Sequence, residues 1–149
     1  MKIKINIQRA TRTSGQPSNY CIRKWVRTAL PHRVEHAELT VRLVGTKEAA
    51  RLNRKWRGKK GPTNVLSFPA GNMLNSEPGL LGDIVLCAPI ITREATHQGK
   101  SLGAHWAHMI IHGTLHLMGY DHKKTAETRK MEGLERKLLA LMGFADPYQ

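Results

Sequence analysis

The sequence contains only two cysteines, Cys21 and Cys87, among 149 residues. This scarcity excludes the dense disulfide framework of a small secreted domain. Both cysteines lie among apolar residues, and we expect them to be reduced thiols in the core. No apolar run approaches the roughly 18 residues needed to span a membrane, and the N-terminus lacks the apolar region of a signal peptide. The sequence therefore predicts a cytoplasmic protein with no membrane partner.

Acidic residues are scarce in the first part of the chain. Residues 1–60 contain 16 Lys and Arg but only 3 Asp and Glu, a net charge of +13, whereas residues 61–149 contain 8 of each. Six of the basic residues fall within 51–60, RLNRKWRGKK. Such a cluster attracts a polyanion, because neutralising phosphates releases counterions. We therefore expect a nucleic acid partner. A solvated basic face, an acidic protein or a membrane surface are the alternatives that charge leaves open.

Hydrophobic periodicity predicts one domain over residues 1–149, with no internal repeat and no linker. Alternating or short apolar runs predict about four strands, at residues 2–8, 39–43, 65–69 and 80–88. Helical spacing predicts about five helices, which follow Ser18, Thr46 and Pro89, span 102–118, and cover 131–141 near the C-terminus. We expect Ser18 and Thr46 to act as N-caps. The order of these elements favours an α+β or mixed α/β fold, with a mixed sheet packed against the helices.

Three histidines in the segment HGTLHLMGYDH, residues 112–122, predict a metal site at the end of a central helix. His112 and His116 are four residues apart, so they lie on one face of a helix and can reach one ion. Gly119 is suited to end that helix, because glycine tolerates a left-handed backbone. His122 can then complete the ligand set. Three histidines with a fourth position for water or substrate are typical of a catalytic zinc ion.

Two further histidines on the same helix, His105 and His108, offer alternatives. A set of His108, His112 and His116 is disfavoured, because residues eight apart on a helix stand roughly 12 Å apart along its axis. Zinc ligands lie only about 2 Å from the ion. We therefore expect His105 and His108 to make hydrogen bonds, packing contacts or substrate contacts instead. Paired histidines on an apolar helix are also often simply packed, which is the alternative for the whole motif.

A glutamate is absent where zinc proteases of the His-Glu-x-x-His-x-x-Gly-x-x-His type have one. The three histidines and Gly119 are in register with that pattern, but Gly113 occupies the glutamate position. In those proteases the glutamate is the general base. Because glycine cannot accept a proton, the sequence favours a substrate other than a peptide.

Three segments resemble the YbeY family of bacterial rRNA maturation factors. They are LNRKWRGKKGPTNVLSFP, LLGDIVLC and HWAHMIIHGTLHLMGYDH, which occur in the family order along essentially the whole chain. The resemblance implies a single-strand-specific, zinc-dependent endoribonuclease that acts in maturation of the 16S rRNA 3′ end and in ribosome quality control. It also implies the ribosome as a partner, and makes a ribosomal protein or an assembly GTPase plausible as the molecule that recruits the chain.

The resemblance assigns zinc binding to His112, His116 and His122, and a functionally important role to Arg57. Arg57 also suits the chemistry independently, because a guanidinium can stabilise the charge that develops on a phosphodiester at the transition state. The alternative is a surface residue that fixes a helix end. We expect substrate contacts from the basic cluster and the segment after it, namely Lys55, Lys59, Lys60, Thr63, Asn64 and Ser67. The last three can instead merely organise a turn and a strand.

The sequence thus predicts a zinc-dependent endoribonuclease acting on single-stranded rRNA. Water attack and attack by a ribose 2′-hydroxyl are equally compatible with it. A ribosome-assembly binding module whose zinc is mainly structural is a second hypothesis. A hydrolase for another substrate is a third, and both the absent glutamate and the basic cluster count against a peptide.

Overall fold

Four strands form one mixed sheet in the computed structural model, which describes residues 2–70, 79–121 and 123–149. They are β1 (Lys2–Arg9), β2 (His36–Val44), β3 (Val65–Pro69) and β4 (Leu80–Cys87), in the order β1-β2-β4-β3 across the sheet. β2 is parallel to both β1 and β4, whereas β3 is antiparallel to β4 and occupies an edge. The predicted α+β class with a four-stranded mixed sheet is confirmed.

Five helices accompany this sheet in the described ranges: α1 (Asn19–Ala29), α2 (Thr46–Arg57), α3 (Ala88–His97), α4 (Leu102–Leu117) and α5 (Thr125–Leu141). The Ser18 hydroxyl caps α1 by accepting a hydrogen bond from the Cys21 amide at 3.2 Å, as predicted. The prediction that Thr46 caps α2 is wrong, because Gly45 holds the N-cap position and Thr46 is the first helical residue. Within the described ranges, no helix has the length and apolar character needed to cross a membrane.

Side chains alternate along the strands and supply a hydrophobic core on each face of the sheet. On β4, Ile84 and Leu86 face the larger core, where they pack with residues of α1, α4 and α5. Val85 and Cys87 face the opposite way, into a smaller core that α2 shares with β3. The sheet therefore lies between α2 and α4, which pack against its opposite faces.

Helix α4 lies close to the sheet at Gly113. A Cβ atom at this position would come within 2.7 Å of Ile84 Cγ2 and 3.3 Å of Val65 Cγ2. The Ser67 hydroxyl donates a hydrogen bond to the Gly113 carbonyl oxygen at 3.1 Å, which joins the helix to β3. Because α4 is buried along most of its length, this contact fixes how its last two turns present their side chains beside the edge strand.

Candidate active site

The last turns of α4 bring His112 and His116 together. Their Nε2 atoms lie 3.1 Å apart, and both side chains line one cleft. The helix ends at Leu117, and Gly119 follows two residues later with a φ of +96°. This left-handed backbone confirms the prediction that Gly119 helps to end the helix. His122, the third predicted ligand, lies outside the described residues.

Glu135 of α5 is the polar centre of a buried cluster next to His112. Its side chain is 1% exposed, and three groups lie within hydrogen-bond distance of its carboxylate. These are His108 Nε2 at 2.5 Å, His112 Nδ1 at 3.3 Å and the Tyr148 hydroxyl at 3.0 Å. Tyr148 reaches the cluster from the C-terminal segment, so three separate parts of the chain meet at one carboxylate.

The protonation state of Glu135 decides which atoms donate in this cluster. Burial raises the pKa of Glu135, but hydrogen bonds from His108 and His112 outweigh burial and lower the pKa to about 2. An ionised carboxylate only accepts hydrogen bonds, so His112 donates from Nδ1. In a neutral imidazole the other nitrogen then carries the lone pair, and in His112 that nitrogen is the Nε2 that faces His116.

The neighbouring His105 belongs to a second polar contact behind the cleft. It is 2% exposed, and its Nε2 lies 2.9 Å from Glu94 Oε1. Burial lowers the pKa of His105, although the hydrogen bond to Glu94 acts in the opposite direction. The expectation that His105 and His108 form hydrogen bonds therefore agrees with the structure, because each is buried against a glutamate.

A buried cluster of His108, His112 and Glu135 could also hold a metal ion. Each offers one ligand atom, and these atoms lie within 4.8 Å of one another. Two overlapping donor groups thus share His112: this cluster on its Nδ1 side, and the His112–His116 pair on its Nε2 side. Sequence spacing predicts only the second group, because Glu135 lies 23 residues beyond His112.

The cleft that contains His112 and His116 has a volume of about 720 Å³. Its opposite wall is built from the end of α2, the following loop and β3. The predicted site residues that line it with the two histidines are Arg57, Lys59, Thr63, Asn64 and Ser67. Two other predicted substrate contacts, Lys55 and Lys60, are exposed and are absent from the described lining of this cleft. The structure therefore brings the predicted arginine and the histidine pair to one cavity.

Asn53 holds the loop that carries the basic residues of this wall. It is buried at 5% exposure, and its side-chain amide donates to the Gly61 carbonyl oxygen at 2.9 Å. Its own carbonyl oxygen accepts from the Lys59 amide at 3.3 Å. Gly58 ends α2 with a φ of 66°, as predicted. Asn53 was not predicted, and its only signal in the sequence is a polar residue on the buried face of α2.

Asn64 and Ser67 line the cleft but also have structural partners. The Asn64 side-chain amide donates to Glu94 at 3.1 Å, and its Oδ1 accepts from the Val65 amide at 2.7 Å. Because Glu94 also contacts His105, this hydrogen-bonded chain joins the loop before β3 to α3 and α4. Ser67 similarly donates to α4 at Gly113. These contacts position the two walls of the cleft relative to each other.

The structure explains why the glutamate of zinc proteases has no counterpart in this chain. Gly113 faces the sheet rather than the cleft, and a Cβ atom there already meets Ile84 and Val65 at contact distances too short for a side chain. Any side chain at position 113 would require Ile84 or Val65 to shift. The close approach of α4 to the sheet therefore accounts for glycine at this position.

Comparison with known proteins finds relatives that match nearly the whole chain. The family model for Endoribonuclease YbeY matches residues 4–143. The chain is 48% identical to Endoribonuclease YbeY of Xanthomonas campestris pv. campestris (strain B100) and 47% identical to that of Stenotrophomonas maltophilia (strain R551-3). Each alignment covers 99% of this chain and 94% of the relative. The solution structure of TM1509 from Thermotoga maritima has a TM-score of 0.61, with 23% identity over 99% of both chains, and shows the same fold.

Proposed function

Because the chain belongs to the Endoribonuclease YbeY family, we propose that it is a zinc-dependent endoribonuclease acting on single-stranded rRNA. Family membership supports the coarser statement that it is a nuclease hydrolysing RNA. The observation that carries the finer proposal is the cleft in which His112 and His116 face Arg57 and Lys59. It combines nitrogen donors for a metal with cations for a phosphodiester.

The histidine pair fits a tetrahedral metal ion. Two nitrogens that each lie about 2.05 Å from zinc, at a tetrahedral angle, are roughly 3.3 Å apart. The observed separation of the His112 and His116 Nε2 atoms is 3.1 Å. We propose His122 as the third ligand on the strength of sequence spacing alone. Zinc bound here would supply Lewis-acid activation of a water molecule or of a phosphoryl oxygen.

Glu135 supports this assignment by orienting His112. A carboxylate that accepts a hydrogen bond from one nitrogen of a ligand histidine fixes its tautomer and its ring orientation. Here Glu135 accepts from Nδ1 at 3.3 Å, and the Nε2 lone pair is thereby directed toward His116. We therefore propose that Glu135 is a positioning residue for the metal site.

The alternative metal cluster of His108, His112 and Glu135 is better described as a hydrogen-bonded cluster. Its His108 Nε2 and Glu135 Oε2 atoms are 2.5 Å apart. This separation is that of a short hydrogen bond, and it is less than the roughly 3.3 Å between two ligands on tetrahedral zinc. The Tyr148 hydroxyl also donates to both carboxylate oxygens, at 3.0 and 3.1 Å. These contacts favour the histidine pair in the cleft as the metal site.

We propose distinct roles for the basic residues along the cleft. Arg57 offers a planar guanidinium opposite the histidines, which suits the extra negative charge on a phosphodiester at the transition state. Lys59 lies in the same cleft and contributes to binding the phosphate backbone. Lys55 and Lys60 are exposed and would contact more distant phosphates. Thr63, Asn64 and Ser67 shape the cleft and can contact the ribose or phosphate oxygens of the substrate.

The biological part of the proposal rests on the resemblance. It includes maturation of the 16S rRNA 3′ end, ribosome quality control, a cytoplasmic location and recruitment by a ribosomal protein or an assembly GTPase. A second candidate is an RNA-binding assembly module whose zinc is structural, which the excess of 16 basic over 3 acidic residues in residues 1–60 favours. Only the first candidate cleaves RNA, so a cleavage assay distinguishes the two functions.

The decisive experiment compares RNA cleavage by the wild-type protein and a His116→Ala variant, with zinc content measured on the same preparations. Joint loss of zinc and cleavage supports the enzyme. If cleavage is unchanged after the metal is lost, the activity comes from a contaminating nuclease. If the wild-type protein binds RNA and zinc without cleaving, the assembly-module function replaces the proposed one.

A further inference from the structure

Trp56 is an exposed aromatic residue within the basic end of α2. It is 61% exposed, whereas Trp25 and Trp106 are 5% and 1% exposed. It lies between Lys55 and Arg57, and the Lys55 Nζ atom is 5.1 Å from the centre of its ring. The hydrophobic effect favours burial of an indole ring, so a largely exposed one beside cationic groups is typical of a binding surface.

Phe68 of β3 completes an aromatic platform with Trp56. The ring centres are 6.2 Å apart, and the ring planes are inclined at 68°. Both side chains line a cavity of about 720 Å³ on the α2 face of the sheet. Aromatic side chains on an accessible sheet face stack with unpaired nucleobases in several kinds of RNA-binding domain.

This cavity adjoins the cleft that contains the histidines. Arg57, Ser67 and Pro69 line both cavities, so the two share the end of α2 and the edge strand β3. An RNA strand whose phosphate lies against Arg57 in the cleft can therefore place a neighbouring nucleotide beside Trp56. One continuous surface can therefore contact both the phosphate and the neighbouring base.

The polar groups in this cavity suit a base rather than a phosphate. Asp83 pairs with Phe68 across β3 and β4, and its exposed carboxylate lines the cavity. The nearby Arg42 guanidinium already donates to both oxygens of Glu48, at 2.6 and 3.0 Å, and to Gln8 at 2.9 Å. A phosphate would meet the Asp83 charge, whereas the edge of a base offers N–H donors to a carboxylate.

We propose that Trp56 and Phe68 form a stacking subsite for one unpaired nucleobase of RNA, next to the catalytic cleft. This inference rests on the proposed function, because it takes RNA as the ligand. It adds a contact that is independent of charge. Base–aromatic stacking contributes measurably to single-strand binding, so loss of the indole should weaken RNA binding by about tenfold, which corresponds to about 1.4 kcal/mol.

The test uses a short single-stranded RNA oligomer and the zinc-loaded protein in stopped-flow mixing, read before the first turnover. Trp25 and Trp106 are buried, so we expect an RNA-dependent change in tryptophan fluorescence that disappears in Trp56→Phe. Trp56→Ala should bind about tenfold more weakly, and Trp56→Phe should keep most of the affinity. Tyr20→Ala removes a 73% exposed aromatic residue that lines neither cavity, and should bind like the wild type.

A set of oligomers with one abasic ribose each then locates the stacked base. At one position, the abasic substitution should weaken binding to the wild-type protein but cause no further loss in Trp56→Ala, because both changes remove the same contact. Additive losses at every position would overturn the stacking subsite. So would unchanged fluorescence together with wild-type affinity in Trp56→Ala.

The same experiment separates this inference from the proposed function. If Trp56→Ala binds like the wild type while the wild-type protein still cleaves RNA and His116→Ala does not, the stacking subsite is wrong and the nuclease stands. If the wild-type protein neither binds nor cleaves the oligomers, the proposed function fails and this inference fails with it.

Discussion

At the scale of single residues, the two ring nitrogens of His112 have different partners. Its Nδ1 lies 3.3 Å from Glu135, and its Nε2 lies 3.1 Å from the Nε2 of His116. A metal ion on the Nε2 side uses the nitrogen that carries the lone pair. An ion on the other side would have to displace the hydrogen bond to Glu135. The two candidate metal sites therefore make different predictions.

We expect His112→Ala, His116→Ala and His122→Ala each to lower the zinc content of the purified protein, because each removes a ligand. His108→Ala should leave most of the zinc, because His108 binds Glu135 and Tyr148 instead. Zinc content per chain by mass spectrometry of the metal gives the measurement. Loss of zinc in His108→Ala with retention in His122→Ala would instead place the ion at the His108 cluster.

Glu135→Gln should weaken zinc binding without abolishing it. The amide keeps the volume of the side chain but is a weaker acceptor for His112 Nδ1, and removal of such a partner typically costs 10–100-fold in metal affinity. Competition with a chromophoric chelator measures the change. Glu127→Gln is the matched control, because Glu127 lies on the same helix and is exposed. Equal affinities for the two variants would remove the positioning role of Glu135.

Arg57→Ala should keep zinc and the fold but lose cleavage. Loss of one group that stabilises transition-state charge costs on the order of 3 kcal/mol, about a hundredfold in rate. Arg57→Lys should recover only part of the rate, because an ammonium group lacks the planar guanidinium geometry. RNA affinity should fall much less, since Arg57 is one of six basic residues in 51–60. Single-turnover rates and binding titrations measure both, and equal losses would make Arg57 an ordinary phosphate-binding residue.

At the scale of secondary structure, α4 is fixed against the sheet by the absence of a side chain at position 113. Gly113→Ala should lower the free energy of unfolding by about 1–3 kcal/mol, because the new methyl group meets Ile84 and the helix has little room to move. Urea unfolding measures the loss. Cleavage should fall as well, since the same contact sets the position of His112 and His116 beside β3.

Gly103→Ala provides the control for this prediction. Gly103 also lies in α4, and nothing lies within 4 Å of a Cβ atom built there. The substitution should be neutral or stabilising by up to about 1 kcal/mol, because alanine favours the helix more than glycine does. If both variants were destabilised equally, helix propensity and close packing could not be the operative causes.

The elements themselves were largely predictable from local patterns, and the clearest failure occurs in α5. Apolar spacing over 131–141 predicted a helix but not its orientation. Leu141 is 72% exposed, whereas Glu135 is buried and lies between Met131 and Leu139 on the buried face. A buried carboxylate contradicts hydrophobic patterning, and only its three donors, which come from α4 and the C-terminal segment, explain it. Such long-range partners leave no local signal in the sequence.

The cleft likewise combines features that local sequence predicts with features that depend on long-range contacts. The histidine spacing and Gly119 carry local geometric information, so the arrangement of His112 and His116 could be predicted from sequence alone. The arrival of Arg57 opposite them depends on β3 occupying the sheet edge and on Asn53 holding the loop. The family resemblance therefore predicted that Arg57 belongs to the site, whereas hydrophobic periodicity could not.

At the scale of the whole molecule, the charge is concentrated in residues 1–60. Lys55, Lys59 and Lys60 are exposed at the end of α2 and in the following loop. Reversal of these three to Glu should weaken RNA binding and flatten its dependence on salt. Each lost phosphate contact should reduce the slope of log affinity against log salt by roughly 0.7 for a single strand. Binding titrations at several salt concentrations measure the slope, and an unchanged slope would move the RNA-binding surface elsewhere.

The two hydrophobic cores have a consequence for how this molecule can change over generations. The wall that carries the histidines rests on the larger core, and the wall that carries Arg57 rests on the smaller core beneath α2. Substitutions in the smaller core can shift the arginine wall while the side chains beneath the histidines stay packed. Selection can therefore adjust which RNA strands are accepted without moving the histidine pair.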